Sequence, residues 1–437
     1  MLNAIDKSKQ GELAGYLAGR SQEISPEILA RAASIIDEVR KDGDAALKKY
    51  TKMFDGIDLD DFEVTPEEID AAAARADEDF VLALQDAARN ILEYHEAQKR
   101  EGYRIDRENG AFLGSRIIPL ASAGIYVPGG RAQYPSSVLM NAIPARVAGV
   151  KEIVMVTPPS KDGSINPNIA AAARVAGVNR IYKIGGAQAI AALAYGTESI
   201  PAVDKIVGPG NIYVAAAKKL VFGKTDIDMI AGPSEILVIA DEGANPAYVA
   251  ADLLSQAEHD PMASAILIST SQSVIDQVSE ELRKQSDLLP KKAIVEESLK
   301  NYGHSILTDT LEEAVEISNA IAPEHLELQV KDPMALLDQV RNAGSVFLGY
   351  YTCESVGDYF GGTNHVLPTS GTARFSSPLS VDAFVKKSSY LYYPREVLFE
   401  EGDRIVTLAE NEDLAAHARA VSIRMEEEKP EENGRES

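Results

Sequence analysis

Hydrophobic residues follow a helical period over the early part of the chain. Between residues 26 and 100, apolar side chains recur at helical spacing, with a break at Gly43. A second helix is predicted to begin at Thr65 and Pro66, because proline favours the first helical position and acidic residues follow it. The run 116–120 (RIIPL) then predicts a strand. This region therefore predicts helices that lead into a sheet.

Residues 122–235 alternate between short apolar runs and helical patterns. The first run, 124–130 (GIYVPGG), is a predicted strand that ends in a glycine turn. The other predicted strands are 152–157, 180–184 and 204–207. The predicted helices are 134–149, 187–195 and 211–222. Strands that alternate with helices of this length are typical of a parallel sheet with crossover helices.

The carboxyl ends of these strands place three polar side chains on one rim. Ligands of parallel sheets bind at that edge, and Tyr126, Gln188 and Asn211 each lie at or just after a strand end. The turn 208–213 (GPGNIY) has the first two glycines of the dinucleotide-binding pattern, with Tyr213 in place of the third. From the pattern, a nucleotide site and a plain tight turn both remain open.

Alternating elements return between residues 236 and 378. The predicted strands are 236–240 and 264–269. The helix between them ends in the stretch 252–260 (DLLSQAEHD), where Gln256 and His259 stand three residues apart and so share one helical face. An amide oxygen and an imidazole side by side can form half of a metal shell. This stretch is therefore the first candidate metal site.

The other half of such a shell must come from later in the chain. Asp358 lies in the polar segment 349–379, and long polar loops in compact domains are usually functional. His417 lies in a region, 380–427, whose pattern predicts a helical lobe. With Gln256 and His259 they would form a mixed nitrogen and oxygen shell, which suits zinc. The alternative is that each is a polar residue satisfied by protein neighbours.

Three further sites carry candidate chemistry. Glu324 and His325 place a carboxylate beside an imidazole, which suits general acid–base work, although a salt-bridged loop histidine is the alternative. Glu412 and His417 are predicted on one helix, where five residues place them about 140° apart on its surface. Cys353 has neither a histidine nor a basic residue beside it in sequence to activate its thiol, which argues against a catalytic cysteine.

Charge and composition narrow the range of partners. The 437 residues carry a formal net charge of -24, so neither nucleic acid nor an anionic membrane is expected as a partner. The single cysteine excludes an intrachain disulfide and fits a reducing cytosol. The N-terminus lacks the apolar core of a signal peptide, and no apolar run reaches the length of about 18 residues that a membrane span needs. We therefore expect a cytoplasmic location.

Seven segments, taken together, resemble one enzyme family. In chain order they are AGIYVPGG (123–130), IGGAQAIAALAYGT (184–197), VGPGNIYVAAAK (207–218), AGPSEILVIAD (231–241), DLLSQAEH (252–259), APEHLEL (322–328) and GDYFGGTNHVLPTSGTAR (357–374). No single segment is specific. Their succession, over about residues 20–425, resembles histidinol dehydrogenase.

The resemblance implies an activity and an assembly. Members of that family oxidise L-histidinol through L-histidinal to L-histidine, the last two steps of L-histidine biosynthesis, and reduce two NAD+. One zinc ion per active site holds the substrate rather than activating a water. The family forms homodimers with shared active sites, which implies that Glu412 and His417 reach the site from the second chain.

The resemblance also assigns roles to individual residues. It implies acid–base catalysis by Glu324 and His325. It implies that NAD contacts fall on Tyr126, Gln188 and Asn211. The implied zinc ligands are Gln256, His259, Asp358 and His417. The implied substrate contacts are Ser234, Gln256, His259, His325, Asp358, Glu412 and His417.

The fold that the resemblance implies is α/β, with two Rossmann-like parallel-sheet domains similar to those of aldehyde dehydrogenases and small N-terminal and C-terminal helical lobes. An N-terminal segment (1–21) precedes a first α/β domain in two pieces (22–121 plus 236–378), which carries the metal and acid–base residues. The second α/β domain (122–235) carries the NAD rim. A dimer-swapped C-terminal helical lobe (379–427) and a disordered acidic tail (428–437) follow.

One residue departs from the family pattern. Cys353 stands where we expect proline, which leaves the implied catalytic set intact. Two rival interpretations remain, a zinc-independent aldehyde dehydrogenase that acts through Cys353 and a non-catalytic nucleotide-binding protein of similar fold. Both are disfavoured because the chain contains the whole set Gln256, His259, Glu324, His325 and Asp358.

Overall fold

The computed structural model describes residues 2–5, 24–129 and 134–426. Most of the predicted N-terminal segment 1–21 lies outside the described residues, as do Gly130 of the first glycine turn and the predicted tail 428–437. The first described element is the short strand β1 (Asn3–Ala4).

Three helices come next, and their caps set where they begin. They are α1 (Pro26–Phe54), α2 (Pro66–Ala73) and α3 (Glu78–Glu96). The side chains of Ser25, Thr65 and Asp77 each accept a backbone N–H of the following first turn, which satisfies a donor that a helix start leaves without a partner. Gly43, at a φ of 51°, breaks α1 as predicted. The strands that follow are β2 (Tyr103–Asp106) and β3 (Phe112–Pro119).

A five-stranded parallel sheet is built from residues 122–227. Its strands are β4 (Ser122–Tyr126), β5 (Glu152–Val156), β6 (Arg180–Tyr182), β7 (Lys205–Val207) and β8 (Asp226–Ile227). Its helices are α4 (Pro135–Ala148), α5 (Pro167–Ala176), α6 (Gly186–Tyr195) and α7 (Ile212–Val221). The strand order is β6-β5-β4-β7-β8, so the connections reverse direction between β4 and β7. Parallel sheets bind ligands at such a reversal.

A six-stranded parallel sheet joins β1 to strands from residues 235–348. These strands are β9 (Glu235–Ala240), β10 (Ser264–Ser269), β11 (Gly303–Leu307), β12 (His325–Gln329) and β13 (Ser345–Leu348). The helices are α8 (Pro246–Ala257), α9 (Gln272–Ser286), α10 (Lys292–Tyr302), α11 (Leu311–Ile321), α12 (Met334–Leu337) and α13 (Glu354–Tyr359). The order is β1-β11-β10-β9-β12-β13, with the reversal between β9 and β12.

The two parallel sheets share one strand order. Apart from β1, each starts at its centre, adds two strands on one side and then two on the other. The amino-acid sequence shows no internal repeat that would predict this shared strand order. The two sheets with their crossover helices confirm the predicted α/β fold class.

The helices α1 to α3 pack on the five-stranded sheet. α1 contacts α6 and α7, while α2 and α3 contact α5, and α3 also contacts α4. Leu47 of α1 shares a buried cluster with Ile190 of α6. The prediction that residues 22–121 belong with the other α/β domain does not describe these contacts. An amphipathic pattern shows which helix face is buried but not which sheet it covers.

A smaller unit comprises residues 100–118 and the chain from 385 onward. It holds a three-stranded sheet in the order β14-β3-β2, with β14 at Val385–Tyr392, and the helices α14 (Arg395–Asn411) and α15 (Ala415–Met425). The predicted C-terminal helical lobe thus also contains a strand. Within the described residues, no helix combines the length and apolar character needed to cross a bilayer.

Candidate active site

Glu324 and His325 lie at the amino end of β12, held by the backbone of Glu235 on the neighbouring strand β9. Glu324 Oε2 accepts the N–H of Glu235 at 2.9 Å, and His325 Nδ1 lies 3.0 Å from the carbonyl oxygen of Glu235. Because a carbonyl oxygen only accepts, Nδ1 donates to it, and a neutral ring then carries its lone pair on Nε2. The two residues predicted for acid–base work are therefore fixed by one residue's backbone.

The charges of this pair shift its titration. Burial raises the pKa of Glu324 to about 8, although His325 acts in the opposite direction. Burial alone would lower the pKa of His325, but the carboxylates of Glu324 and Asp358 outweigh it and raise that pKa. Asp358 Oδ1 lies 3.4 Å from His325 Nε2, and this contact lowers the pKa of Asp358 against the effect of burial. A carboxyl group that titrates near neutral pH therefore lies beside an imidazole.

Gln256 lies in the last turn of α8, but the helix ends before His259, so the two do not share a helical face as expected. Gln256 is fully buried, and neither its Oε1 nor its Nε2 has a hydrogen-bond partner among the described residues. His259 stands two residues beyond the helix, where its N–H donates to the carbonyl of Gln256 at 3.0 Å. Its Nδ1 lies 3.4 Å from Ser234 Oγ, which brings the predicted substrate contact Ser234 to the same place. A buried amide without a partner marks a position that a ligand would satisfy.

Glu354 is a site residue that the sequence analysis missed. His325, Glu354 and Asp358 offer ligand atoms that all lie within 4.8 Å of one another. Glu354 accepts a hydrogen bond from Ser255 Oγ at 3.0 Å, and burial together with the charge of Asp358 raises its pKa to about 7. A signal was available, because Glu354 and Asp358 stand four residues apart on one helix and so share a face.

The polar segment after α13 joins the two α/β parts of the chain. His365 Nδ1 donates to the carbonyl of Asp358 at 2.9 Å, and its Nε2 lies 3.1 Å from Ser137 Oγ on α4. Beside it, Asn364 Nδ2 donates to the carbonyl of Met140 at 2.7 Å. The helix that follows β4 is thus bonded directly to the segment that carries Asp358.

Glu412 and His417 belong to the smaller unit and are exposed there. The prediction that they share one helix is wrong, because α14 ends at Asn411 and His417 lies in α15. Asp413, at a φ of 57°, lies in the turn between the two helices. Neither residue belongs to the ligand cluster found among the described residues. Their assignment to the active site stays a prediction.

The three residues predicted for NAD lie at the carboxyl edge of the five-stranded sheet. Tyr126 ends β4, and its hydroxyl accepts the N–H of Gly186 at 3.1 Å. Gln188 is buried in the first turn of α6, and its Oε1 has no partner among the described residues. Asn211 caps α7 by accepting the N–H groups of Tyr213 and Val214. Their NAD role stays a prediction, but the geometry is a rim at the reversal point of the sheet.

Cys353 directly precedes α13, and its side chain makes no capping hydrogen bond. In the described part of the chain, no hydrogen bond or ion pair joins its thiol to a histidine or a basic residue. The structure therefore supplies no base to activate this cysteine.

Known proteins match this chain over almost its whole length. The family model described as histidinol dehydrogenase matches residues 18–425. A histidinol dehydrogenase of Clostridium acetobutylicum is 56% identical over 408 residues, which cover 93% of this chain and 95% of that relative. The crystal structure of histidinol dehydrogenase from Elizabethkingia anophelis is similar with a TM-score of 0.92 at 41% identity, covering 97% of this chain and 98% of that one. The chain therefore belongs to the histidinol dehydrogenase family, and it is a dehydrogenase.

Proposed function

We propose that this enzyme is a zinc-dependent histidinol dehydrogenase of the cytoplasm that oxidises L-histidinol through L-histidinal to L-histidine and reduces two NAD+. These reactions are the final steps of L-histidine biosynthesis. The observation that carries the proposal is the pair Glu324 and His325, fixed by the backbone of Glu235 with Nε2 of the imidazole turned toward Asp358. Membership of the family supports it.

The residues of the site fit a zinc ion. The amide of Gln256 is buried without a hydrogen-bond partner in the described structure, so a cation would satisfy its oxygen. Desolvation lowers the pKa of His259, which favours the neutral ring that binds metal, although Asp358 acts in the opposite direction. The lowered pKa of Asp358 keeps its carboxylate ionised. Three ligands would come from these residues, and His417 of a second copy would supply the fourth.

The chain's own groups account for the proton transfers. When bound, zinc would hold the imidazole and amine of histidinol and so orient the alcohol. His325 Nε2 takes the hydroxyl proton while the carbon-bound hydride leaves for the first NAD+, which yields histidinal. Glu324 then removes a proton from the water that adds to the aldehyde carbon, and His325 returns its proton to the aldehyde oxygen, which gives the hydrate. His325, neutral again, takes a hydroxyl proton of the hydrate as the second hydride leaves for the second NAD+. The carboxylic acid that results releases its remaining proton to give the carboxylate.

The rim of the five-stranded sheet is where NAD+ would bind. Tyr126 and Asn211 lie beside the reversal between β4 and β7, and the N–H of Gly186 at the start of α6, next to Gln188, donates to Tyr126. Helix N-termini attract phosphate groups through their backbone N–H donors and through the helix dipole. The hydrogen bonds between α4 and the segment of residues 364–365 connect this rim to Asp358.

Substrate turnover tests the proposal as a whole. Purified enzyme supplied with zinc, L-histidinol and excess NAD+ should form two NADH for each histidinol consumed, with no histidinal released. A strong chelator should abolish NADH formation, and added zinc should restore it. One NADH per histidinol, or full activity in the chelator, would contradict the proposal.

Sharing of the site between two copies is tested by mixing inactive chains. A heterodimer of a His417→Ala chain and a Glu324→Gln chain should regain about half of the wild-type activity per dimer, because one of its sites then contains only intact residues. Each homodimer should stay inactive. If the heterodimer is also inactive, His417 acts within its own chain.

A further inference from the structure

We propose that a buried ion pair, Lys218 with Asp228, positions the loop that binds the cofactor. Lys218 lies on α7 and Asp228 directly after β8, and their side chains are 5% and 1% exposed. Nothing in the acid–base or metal chemistry uses either residue. The inference rests on the proposed NAD+ site, and it explains how the turn at that site keeps its shape.

Lys218 and Asp228 both form hydrogen bonds with the backbone of Gly208 in that turn. Lys218 Nζ contacts Asp228 Oδ1 and also donates to the carbonyl oxygen of Gly208 at 3.0 Å. Asp228 Oδ2 accepts the N–H of Gly208 at 2.8 Å, and its Oδ1 accepts the N–H of Met229 at 2.6 Å. The backbone donor and the backbone acceptor of Gly208 are thus both bound by charged partners, which form stronger hydrogen bonds than neutral ones.

Gly208 in turn sets the positions of the rim residues. Its φ is +110°, and a Cβ at this position would lie 2.2 Å from the carbonyl oxygen of Tyr126, so only glycine allows this close approach. Tyr126 accepts the N–H of Gly186 at the start of α6, close to Gln188. Three residues after Gly208, Asn211 begins α7. The ion pair therefore fixes the turn that lies against Tyr126 and leads into Asn211.

Burial of the pair is hard to explain by stability alone. A buried ion pair contributes little compared with apolar side chains of the same size, because desolvation offsets the attraction. Its specific effect here is the fixed turn. Lys218 and Asp228 hold that turn through both backbone groups of Gly208, the first glycine of the dinucleotide pattern.

A second ion pair in the same sheet offers a matched control. Lys205 Nζ lies 2.7 Å from Asp226 Oδ2, joining β7 to β8, and Lys205 is also buried. This pair makes no hydrogen bond to the residues of the turn in the described structure. Removing it should therefore perturb the sheet without moving the rim.

The test compares two double variants of the full-length enzyme. In Lys218→Met/Asp228→Asn, both charges go together, so no lone charge is buried, and the asparagine still accepts a hydrogen bond. We expect its KM for NAD+ and the Kd for NAD+ from titration calorimetry to rise about tenfold, with kcat and the KM for histidinol within about twofold of wild type. In Lys205→Met/Asp226→Asn, all four values should stay within about twofold, whatever the loss in melting temperature.

The outcomes separate this inference from the proposed function. If the wild type itself does not bind NAD+, the proposed function fails and the inference falls with it. If the wild type binds NAD+ and the folded Lys218/Asp228 variant binds it equally well, only the positioning role is overturned. Should the double variant not fold, Lys218→Gln alone carries the test, because the Asp228 carboxylate keeps the N–H groups of Gly208 and Met229 as partners. We expect a rise of about threefold in the KM for NAD+, and an unchanged KM would overturn the inference.

Discussion

The two parallel sheets have the same strand order but present their functional residues at opposite edges. In the five-stranded sheet, Tyr126 ends β4 and Gly208 follows β7, so the rim lies at the carboxyl edge. In the six-stranded sheet, Glu235 and His325 are the first residues of β9 and β12, so the acid–base pair lies at the amino edge. Both sites stand where the connections reverse direction.

The difference follows from what each edge exposes. Crossover helices begin at the carboxyl edge, where free N–H groups and positive dipole ends favour phosphates. They end at the amino edge, where free carbonyl groups and negative dipole ends favour cations. Gln256 lies in the last turn of α8, at this edge. On the proposed function, one strand order would provide an anion site in one sheet and a cation and proton site in the other.

Removing the carboxylate at the amino edge should have the largest effect. The change Glu324→Gln keeps an acceptor for the N–H of Glu235 but removes the group that titrates near neutral pH. We expect the rate of NADH formation from histidinal to fall about 10²- to 10⁴-fold, the usual contribution of a positioned acid–base group. Stopped-flow measurement with histidinal and NAD+ isolates this step.

The separation of the two edges also predicts how Glu324→Gln binds NAD+. Its Kd for NAD+ should equal that of the wild type, since the cofactor rim belongs to the other sheet. An equal loss of NAD+ binding would show that the two edges are not separate sites, and the division of labour would be wrong.

The sequence predicted the regular parts of both sheets well. The stretch at residues 252–260 ends α8 as predicted, with Gln256 buried, because its apolar residues keep a clear helical period. The strands β9 and β10 are buried throughout, and unbroken apolar runs in a sequence predict such strands. The rim at the carboxyl edge could be found because glycine turns mark the strand ends.

The amino edge was harder to predict. The sequence pattern predicts no strand at β12, because its five residues, HLELQ, include polar side chains that are nonetheless buried. Glu327 and Gln329 are both buried there, and Gln329 Nε2 donates a hydrogen bond to Glu327 Oε2 at 2.9 Å. A pattern of apolar and polar positions cannot show that polar side chains satisfy one another. The spacing of four residues between Glu354 and Asp358 was a signal in the sequence, but only the structure shows that Glu354 lies beside His325.

The pH dependence of stability should differ between the two edges. The pKa of Glu324 rises from 4.5 to about 8 on folding, so the folded state holds a proton that the unfolded chain releases. The metal-free wild type should therefore lose stability relative to Glu324→Gln as pH rises between those values, by up to about 1.4 kcal/mol per pH unit. Urea unfolding at several pH values measures the difference. A difference that does not change with pH would show that Glu324 titrates normally.

The smallest predicted effect concerns the cap at the carboxyl edge. Asn211→Ala removes the side chain that accepts the N–H groups of Tyr213 and Val214, and loss of such a cap costs about 1 kcal/mol. Because Asn211 also lies on the rim, we expect the KM for NAD+ to rise about fivefold, with the stability loss independent of pH. Steady-state kinetics and urea unfolding measure the two effects.

A second asparagine cap separates the effect of Asn211→Ala on stability from its effect on the KM for NAD+. Asn166 accepts the N–H groups of Asn168 and Ile169 in the same way, at the start of α5 on the same sheet edge. It follows β5 rather than the reversal between β4 and β7. Asn166→Ala should therefore lose a similar amount of stability while its KM for NAD+ stays at the wild-type value. If both variants raise that KM equally, the whole carboxyl edge responds to any loosened helix, and the reversal point has no special role in binding the cofactor.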